Sequence, residues 1–243
     1  MVFGRNPGEG GGPFDPRHAV LIPFPLEFDV PQFTFANDTE VPVVIVVALD
    51  ASTSMRKRSQ AVVDFYNAFL DAQKQIPGCA CLALVKFDRD IYKVFDPKPL
   101  ATADHLTLED YNVAGGTALN DVIIFTIAAI DRLCAAIRTQ TGREPRVVFP
   151  VITDGDERSS RTFPGIGGVQ RALELLGERR TQGWSILLNT IGLPEGEART
   201  LARNYGIRDA DTSVIDGNAA SMVAASVRLH RSTASIRLND EFE

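Results

Sequence analysis

Apolar and polar positions along this chain switch between two periods, and the switches mark its elements. The run Val43-Val44-Ile45-Val46-Val47-Ala48-Leu49 is unbroken and mostly β-branched, the pattern of a strand covered on both faces. It breaks abruptly into Asp50-Ala51-Ser52-Thr53-Ser54-Met55. From about Lys57 to Gln75 the period is helical, with Val62, Phe65, Tyr66, Phe69, Ala72 and Ile76 in step, until Pro77-Gly78 stops it. Cys79 to Phe87 reads as a strand, Asp88-Arg89-Asp90 as a tight turn, and Ile91 to Phe95 as a second strand. So short a connection allows only antiparallel pairing. Asp96 to Val113 carries no strong period and allows one short helix near Leu106 to Tyr111.

A long helix is expected from Ala118 to Arg138, apolar at Val122, Ile123, Phe125, Ile127, Ile130, Leu133, Cys134 and Ile137. The strand Val147 to Ile152 closes on Thr153-Asp154-Gly155. A helix from about Val169 to Arg180 turns Ala172, Leu173, Leu175 and Leu176 inward, and Trp184 to Thr190 is another buried strand. Pro194 suits a first helical position, and the helix carrying Ala198, Leu201, Ala202 and Tyr205 should end at Gly206. A weak strand near Thr212 to Ile215 precedes a last helix, about Asn218 to His230, with Met222, Val223 and Val227 facing the core.

Strand and helix alternate, so the expected fold is α/β: a doubly wound, mostly parallel six-stranded sheet, Rossmann-like, with helices on both faces. Right-handed crossovers favour the strand order 3-2-1-4-5-6, with the hairpin strand as the antiparallel edge. The strand ending at Asp50 then neighbours the strand ending at Asp154. Chain direction reverses between them and opens a crevice, and Thr117 begins the helix that feeds the same edge. Residues 1–40 are a Gly/Pro-rich arm in which the patches Ala19 to Ile22 and Phe33 to Phe35 can dock, over the domain and its sheet edge or onto a partner. Residues 41–232 are expected to form the domain and 233–243 a polar tail.

Asp50, Ser52 and Ser54, two positions apart, can present three hard oxygens on one side of a turning backbone. Magnesium takes about six oxygens and seldom finds them in one segment, so Gly115-Gly116-Thr117 and Thr153-Asp154-Gly155 are the natural sources of the rest. Together the three segments resemble the metal-ion-dependent adhesion site of the von Willebrand factor A (VWA) domain family: D-x-S-x-S, then a threonine, then an aspartate after a following strand. Asp50, Ser52, Ser54, Thr117 and Asp154 occupy those positions. Thr53 stands where the family usually has glycine. The resemblance implies that Ser52, Ser54 and Thr117 contact Mg2+ (or Mn2+ or Ca2+) directly and that Asp50 and Asp154 reach it through water. The ion would remain electrophilic toward a glutamate or aspartate of a protein partner. Arg56, Lys57, Arg58, Arg158 and Arg161 can flank the crevice and favour an acidic ligand.

Plainer roles compete with this reading, since Ser52, Ser54 and Thr117 could each cap a helix and Asp154 could be a turn residue. A magnesium-dependent phosphoryl-transfer enzyme with Asp50 as nucleophile is the competing function. Against it, Ser52 occupies the position where haloacid dehalogenase-type enzymes carry a second carboxylate. No Gly-rich phosphate loop ends in Lys-Ser/Thr, and His18, His105 and His230 lie far from the motif. A net charge of -6 without a basic stripe argues against nucleic acid. Three cysteines, Cys79, Cys81 and Cys134, with apolar neighbours read as reduced core residues. With no leader-like start and no spanning segment, the expectation is a cytoplasmic, bacterial-type monomer or weak dimer.

Overall fold

A computed structural model describes residues 20–21, 26–155 and 157–238. Its centre is the apolar run already noted, the strand β2 (Val43–Asp50), every residue of which is buried. β2 pairs in parallel with β3 (Ala80–Phe87) on one side and with β5 (Arg146–Thr153) on the other. β4 (Ile91–Pro99) returns antiparallel along β3, while β6 (Ser185–Ile191) and β7 (Thr212–Ile215) extend the sheet in parallel beyond β5. These six strands follow the expected 3-2-1-4-5-6 order. The two-residue strand β1 (Val20–Leu21) adds to the outer edge of β4, for a full order β1-β4-β3-β2-β5-β6-β7. Part of the arm thus covers the sheet edge; the rest of its Gly/Pro-rich stretch through Pro25, with Ala19 and Ile22, lies outside the described residues.

Alternate residues of β2 feed two cores. Val44, Val46 and Ala48 face a layer built with α2 (Leu119–Thr141), α3 (Gly165–Thr181) and α4 (Glu195–Asn204). Val43, Ile45, Val47 and Leu49 face α1 (Ser59–Lys74) and α5 (Ala219–Leu238). Full cover on both faces is the reason the strand is apolar at every position. Further along the arm, Leu26 is buried, Phe33 packs against the first core, and Arg143 lies 4.0 Å over the Phe35 ring.

Several expectations change on contact with the packed molecule. The helix near Leu106 to Tyr111 is only a turn, and a short 3-10 turn occupies Leu100–Thr102 instead. Pro194 sits one residue before α4, with extended ψ of 144°, rather than inside it. Leu173 is 39% exposed, and Val223 and Val227 are 60% and 44% exposed, so none of the three faces the core. The inward face of α5 is Met222, Ala225, Ser226, Leu229 and Thr233, and the small ones among them, Ala225 and Ser226, let it pack closely against α1. α5 also continues to Leu238, so 233–238 are helix and not tail. Arg237 holds that last turn by donating to the carbonyls of Gln73 at 2.6 Å and Ile76 at 2.9 Å, at the C-terminal end of α1.

Candidate metal centre

β2 delivers Asp50 to the C-terminal rim of the sheet with its side chain fully buried. Its Oδ1 accepts the Ser52 backbone N–H at 2.7 Å, which turns the chain sharply after the strand. Its Oδ2 accepts the Thr153 hydroxyl at 2.6 Å, as the parallel pairing of β2 with β5 requires. The Tyr111 hydroxyl donates to the Asp50 carbonyl oxygen. Burial pushes the Asp50 carboxyl up to about 6 against the lowering effect of the bonds from Thr153 and Ser52. The loop therefore holds a carboxylate whose charge is only partly compensated.

From that turn, Ser52 and Ser54 bring their hydroxyl oxygens 3.0 Å apart, and the Ser54 hydroxyl donates to Asp154 Oδ1 at 2.7 Å. Adjacent ligands on an octahedron of radius 2.0 to 2.1 Å are separated by about 2.9 Å. The Ser52 and Ser54 oxygens have that spacing, and the Asp154 carboxylate hydrogen-bonded behind Ser54 adds negative charge, so the donor set suits a small hard cation. Neither helix uses these residues as ordinary caps: the 3-10 turn Thr53–Arg58 that precedes α1 and the helix α2 both lack a side-chain bond at the N-cap.

Thr117 is brought in by a loop tied on three sides. Ala114 N–H donates to the Ala51 carbonyl at 2.9 Å, Ala118 N–H to the Asp88 carbonyl at 2.7 Å, and Arg158 and Ser159 N–H to the Thr117 carbonyl at 2.9 and 3.0 Å. The Thr117 hydroxyl oxygen lies 3.8 Å from where a Cβ on Gly155 would stand, beside Asp154. Gly116 is needed for a close approach of the 157–163 segment, because a Cβ there would meet the Ser159 hydroxyl oxygen at 2.0 Å. Gly115 takes φ of 63°, a conformation that disfavours any side chain. Thr53 has a role here too. Its hydroxyl donates to the Gly115 carbonyl at 2.9 Å and joins the first loop to the second.

Other contributors were not visible as motifs. Glu157 accepts the Asn120 N–H at 2.7 Å and the N–H groups of Ser159 and Ser160 at 2.9 and 2.7 Å, closing the start of α2. Asp121 accepts the N–H groups of Arg161, Thr162 and Phe163. An acid in the first turn of a helix was the available signal, but its partners lie some forty positions away. Of the five arginines and lysines expected at the rim, Arg56, Lys57, Arg158 and Arg161 are exposed, and Arg161 pairs with Asp90 at 3.0 Å. Arg58 alone turns inward, to Asp154 Oδ2 at 3.1 Å.

No protein-family model matches the chain, and no curated protein matches it. Solved structures do. Proximal thread matrix protein 1 from the mussel byssus superposes with a TM-score of 0.54 at 15% identity, over 83% of this chain and 48% of that one. The PilB minor pilin from Streptococcus sanguinis gives 0.59 at 11% identity, over 85% and 64%. A von Willebrand factor type A protein from Catenulispora acidiphila gives 0.56 at 16% identity, over 81% and 43%. A further structure of the mussel protein, with a TM-score of 0.51 and 16% identity over 85% and 48%, has zinc in its MIDAS motif, the adhesion site named above. This chain spans between 43% and 64% of the length of the first three. Its fold is VWA-like.

Proposed function

We propose that the rim between β2 and β5 holds a divalent cation, Mg2+ in the first instance and Mn2+ or Ca2+ as alternatives, and captures an acidic side chain of a protein partner. Ser52, Ser54 and Thr117 would bind the ion directly, with Asp50 and Asp154 acting through water. The ion supplies a Lewis-acidic point for one carboxylate oxygen. The observation that carries this reading is the pair of Ser52 and Ser54 hydroxyl oxygens 3.0 Å apart, with the Asp154 carboxylate accepting the Ser54 hydroxyl at 2.7 Å beside them. Neutral hydroxyls quench little of the ion's charge, which leaves affinity for an anion. Exposed Arg56, Lys57 and Arg158 around the rim favour the same kind of partner.

The role we propose is binding rather than catalysis. A nucleophilic aspartate needs a free oxygen facing substrate, whereas both oxygens of Asp50 are engaged and the residue is wholly buried. All three cysteines are free, which suits the cytoplasmic placement we propose, and no described helix is long and apolar enough to cross a membrane. Calorimetric titration with Mg2+ and Mn2+ tests the ion: the wild type should bind one equivalent and Asp50→Ala none. Partner capture from the native host should be lost on adding EDTA and restored by excess Mg2+. Capture indifferent to EDTA would assign recognition to another surface.

A further inference from the structure

Arg58 closes the 3-10 turn after the serines, and its guanidinium runs back over the rim instead of into solvent. Nη1 donates to Asp154 Oδ2 at 3.1 Å and to the Ser54 carbonyl at 3.4 Å. The rest of the group lies against two glycines that end other strands. A Cβ on Gly192, after β6, would stand 2.3 Å from Arg58 Nη2, and one on Gly217, after β7, would stand 2.7 Å from Nε. Both glycines have positive φ, 71° and 81°. The ends of β6 and β7 thus leave room for one side chain, and that side chain is the arginine on Asp154. The Asp154 side chain is 3% exposed and its two oxygens are divided, Oδ1 to the Ser54 hydroxyl and Oδ2 to Arg58.

We propose that Arg58 is a specificity-determining residue of the cation site: a resident positive charge that weakens the hold on the metal and strengthens the hold on an acidic ligand. This inference rests on the function proposed above. A guanidinium on Asp154 neutralises one of the two carboxylates that would attract the ion, and it repels the ion itself. Once the ion is bound, the same charge is left over, and an anionic ligand is the group that satisfies it. Arginine suits this position because one nitrogen of the planar group, Nη1, reaches Asp154 and the Ser54 carbonyl while Nη2 and Nε lie against the two glycines. A salt bridge that serves only the fold would act differently: its loss would loosen the loop and weaken metal and ligand together.

The two readings differ in sign, and Arg58→Gln separates them. Glutamine keeps an N–H donor for Asp154 and removes the charge. Calorimetric titration with Mn2+ should show tighter binding by roughly tenfold in the variant. At saturating Mn2+, a peptide bearing a single glutamate should bind roughly tenfold more weakly than to wild type, with the matched glutamine peptide as the blank. Gly192→Ala, which displaces the guanidinium while keeping its charge in the chain, should move Mn2+ affinity in the same direction. A melting curve of each variant confirms that it is folded before titration. Weaker or unchanged Mn2+ binding in Arg58→Gln overturns the inference while leaving the proposed function standing. Failure of the wild type to bind Mn2+ removes both.

Discussion

Thr53 shows how one side chain can change the character of a site without touching its chemistry. Where the resembled family usually carries glycine, the hydroxyl of Thr53 donates to the Gly115 carbonyl at 2.9 Å, and its own N–H points to the same oxygen at 3.3 Å. Two loops 62 positions apart are thereby held at a fixed separation. Thr53→Gly should cost about 1 kcal/mol of stability from the lost bond and the freer unfolded backbone. It should also weaken Mg2+ binding a fewfold, because the Thr117 loop is no longer pre-positioned. Urea unfolding and calorimetry on the same preparation check both parts. Asp50 carries a second prediction at this scale. Its carboxyl is raised from 3.8 to about 6 by burial, so in the metal-free protein the folded state binds a proton more tightly than the unfolded state does. The stability this provides is complete below the unfolded value and is lost as pH rises through about 6. With EDTA present, lowering pH from 7 toward 5 should raise the Asp50 contribution by about 1 kcal/mol. Asp50→Asn has no such proton to bind. A difference between wild type and variant that stays constant across this range, measured by chemical denaturation, would show that Asp50 does not titrate there.

At the scale of elements, the start of α2 and the 157–163 segment form one unit. Glu157 and Asp121 together accept N–H groups at both ends of that segment and at Asn120, and the Thr117 carbonyl takes two more. Glu157→Gln loses the charge that complements the helix N-terminus and turns an NH2 toward N–H donors that both carboxylate oxygens now accept, and it should cost about 2 kcal/mol. It should also reduce Mg2+ affinity without removing a ligand, since Thr117 is positioned through this unit. Isothermal titration of the folded variant measures that effect; wild-type affinity would mean that Thr117 is positioned by its other ties alone. These contacts explain what the sequence could not supply. Strands were readable because burial on both faces forces an unbroken β-branched run, and Asp50, Ser52, Ser54 and Asp154 could be grouped because topology places two strand ends side by side. Glu157 and Asp121 remained hidden because their bonds join positions about forty apart with no local period. α5 misled for a related reason. Its buried face mixes Met222 and Leu229 with Ala225, Ser226 and Thr233, while the apolar Val223 and Val227 point outward, so hydrophobicity alone does not pick out the inward side. Pro150 is the converse case: it stands inside the central strand β5, and the pairing with β2 is interrupted there, between Ile45/Val148 and Ala48/Val151.

Across the whole molecule, the sheet converts distance in sequence into proximity at one rim. Asp50, Thr117 and Asp154 come from three separate connections, and Arg58 reaches two more strand ends at Gly192 and Gly217. An ion bound by these loops would tie β2, β5 and the start of α2 together only in the folded state. Ligand that binds only the native form stabilises it by RT ln(1 + [L]/Kd), about 2.7 kcal/mol at a hundred times Kd. For a domain of this size that corresponds to a rise in Tm of roughly 5 to 10 °C. Mg2+ should therefore raise the melting temperature of the wild type progressively, with the logarithm of its concentration above Kd, and EDTA should reverse the rise. Asp50→Ala should melt at one temperature with or without Mg2+. The control matters because the chain carries a net charge of -6, and general screening by any divalent salt would also stabilise an acidic protein. Screening would act equally on the variant, whereas a bridge across the three loops would vanish with the aspartate. A Mg2+-dependent rise that persists undiminished in Asp50→Ala would place the ion elsewhere on the surface and dissolve the link between the fold and its proposed site.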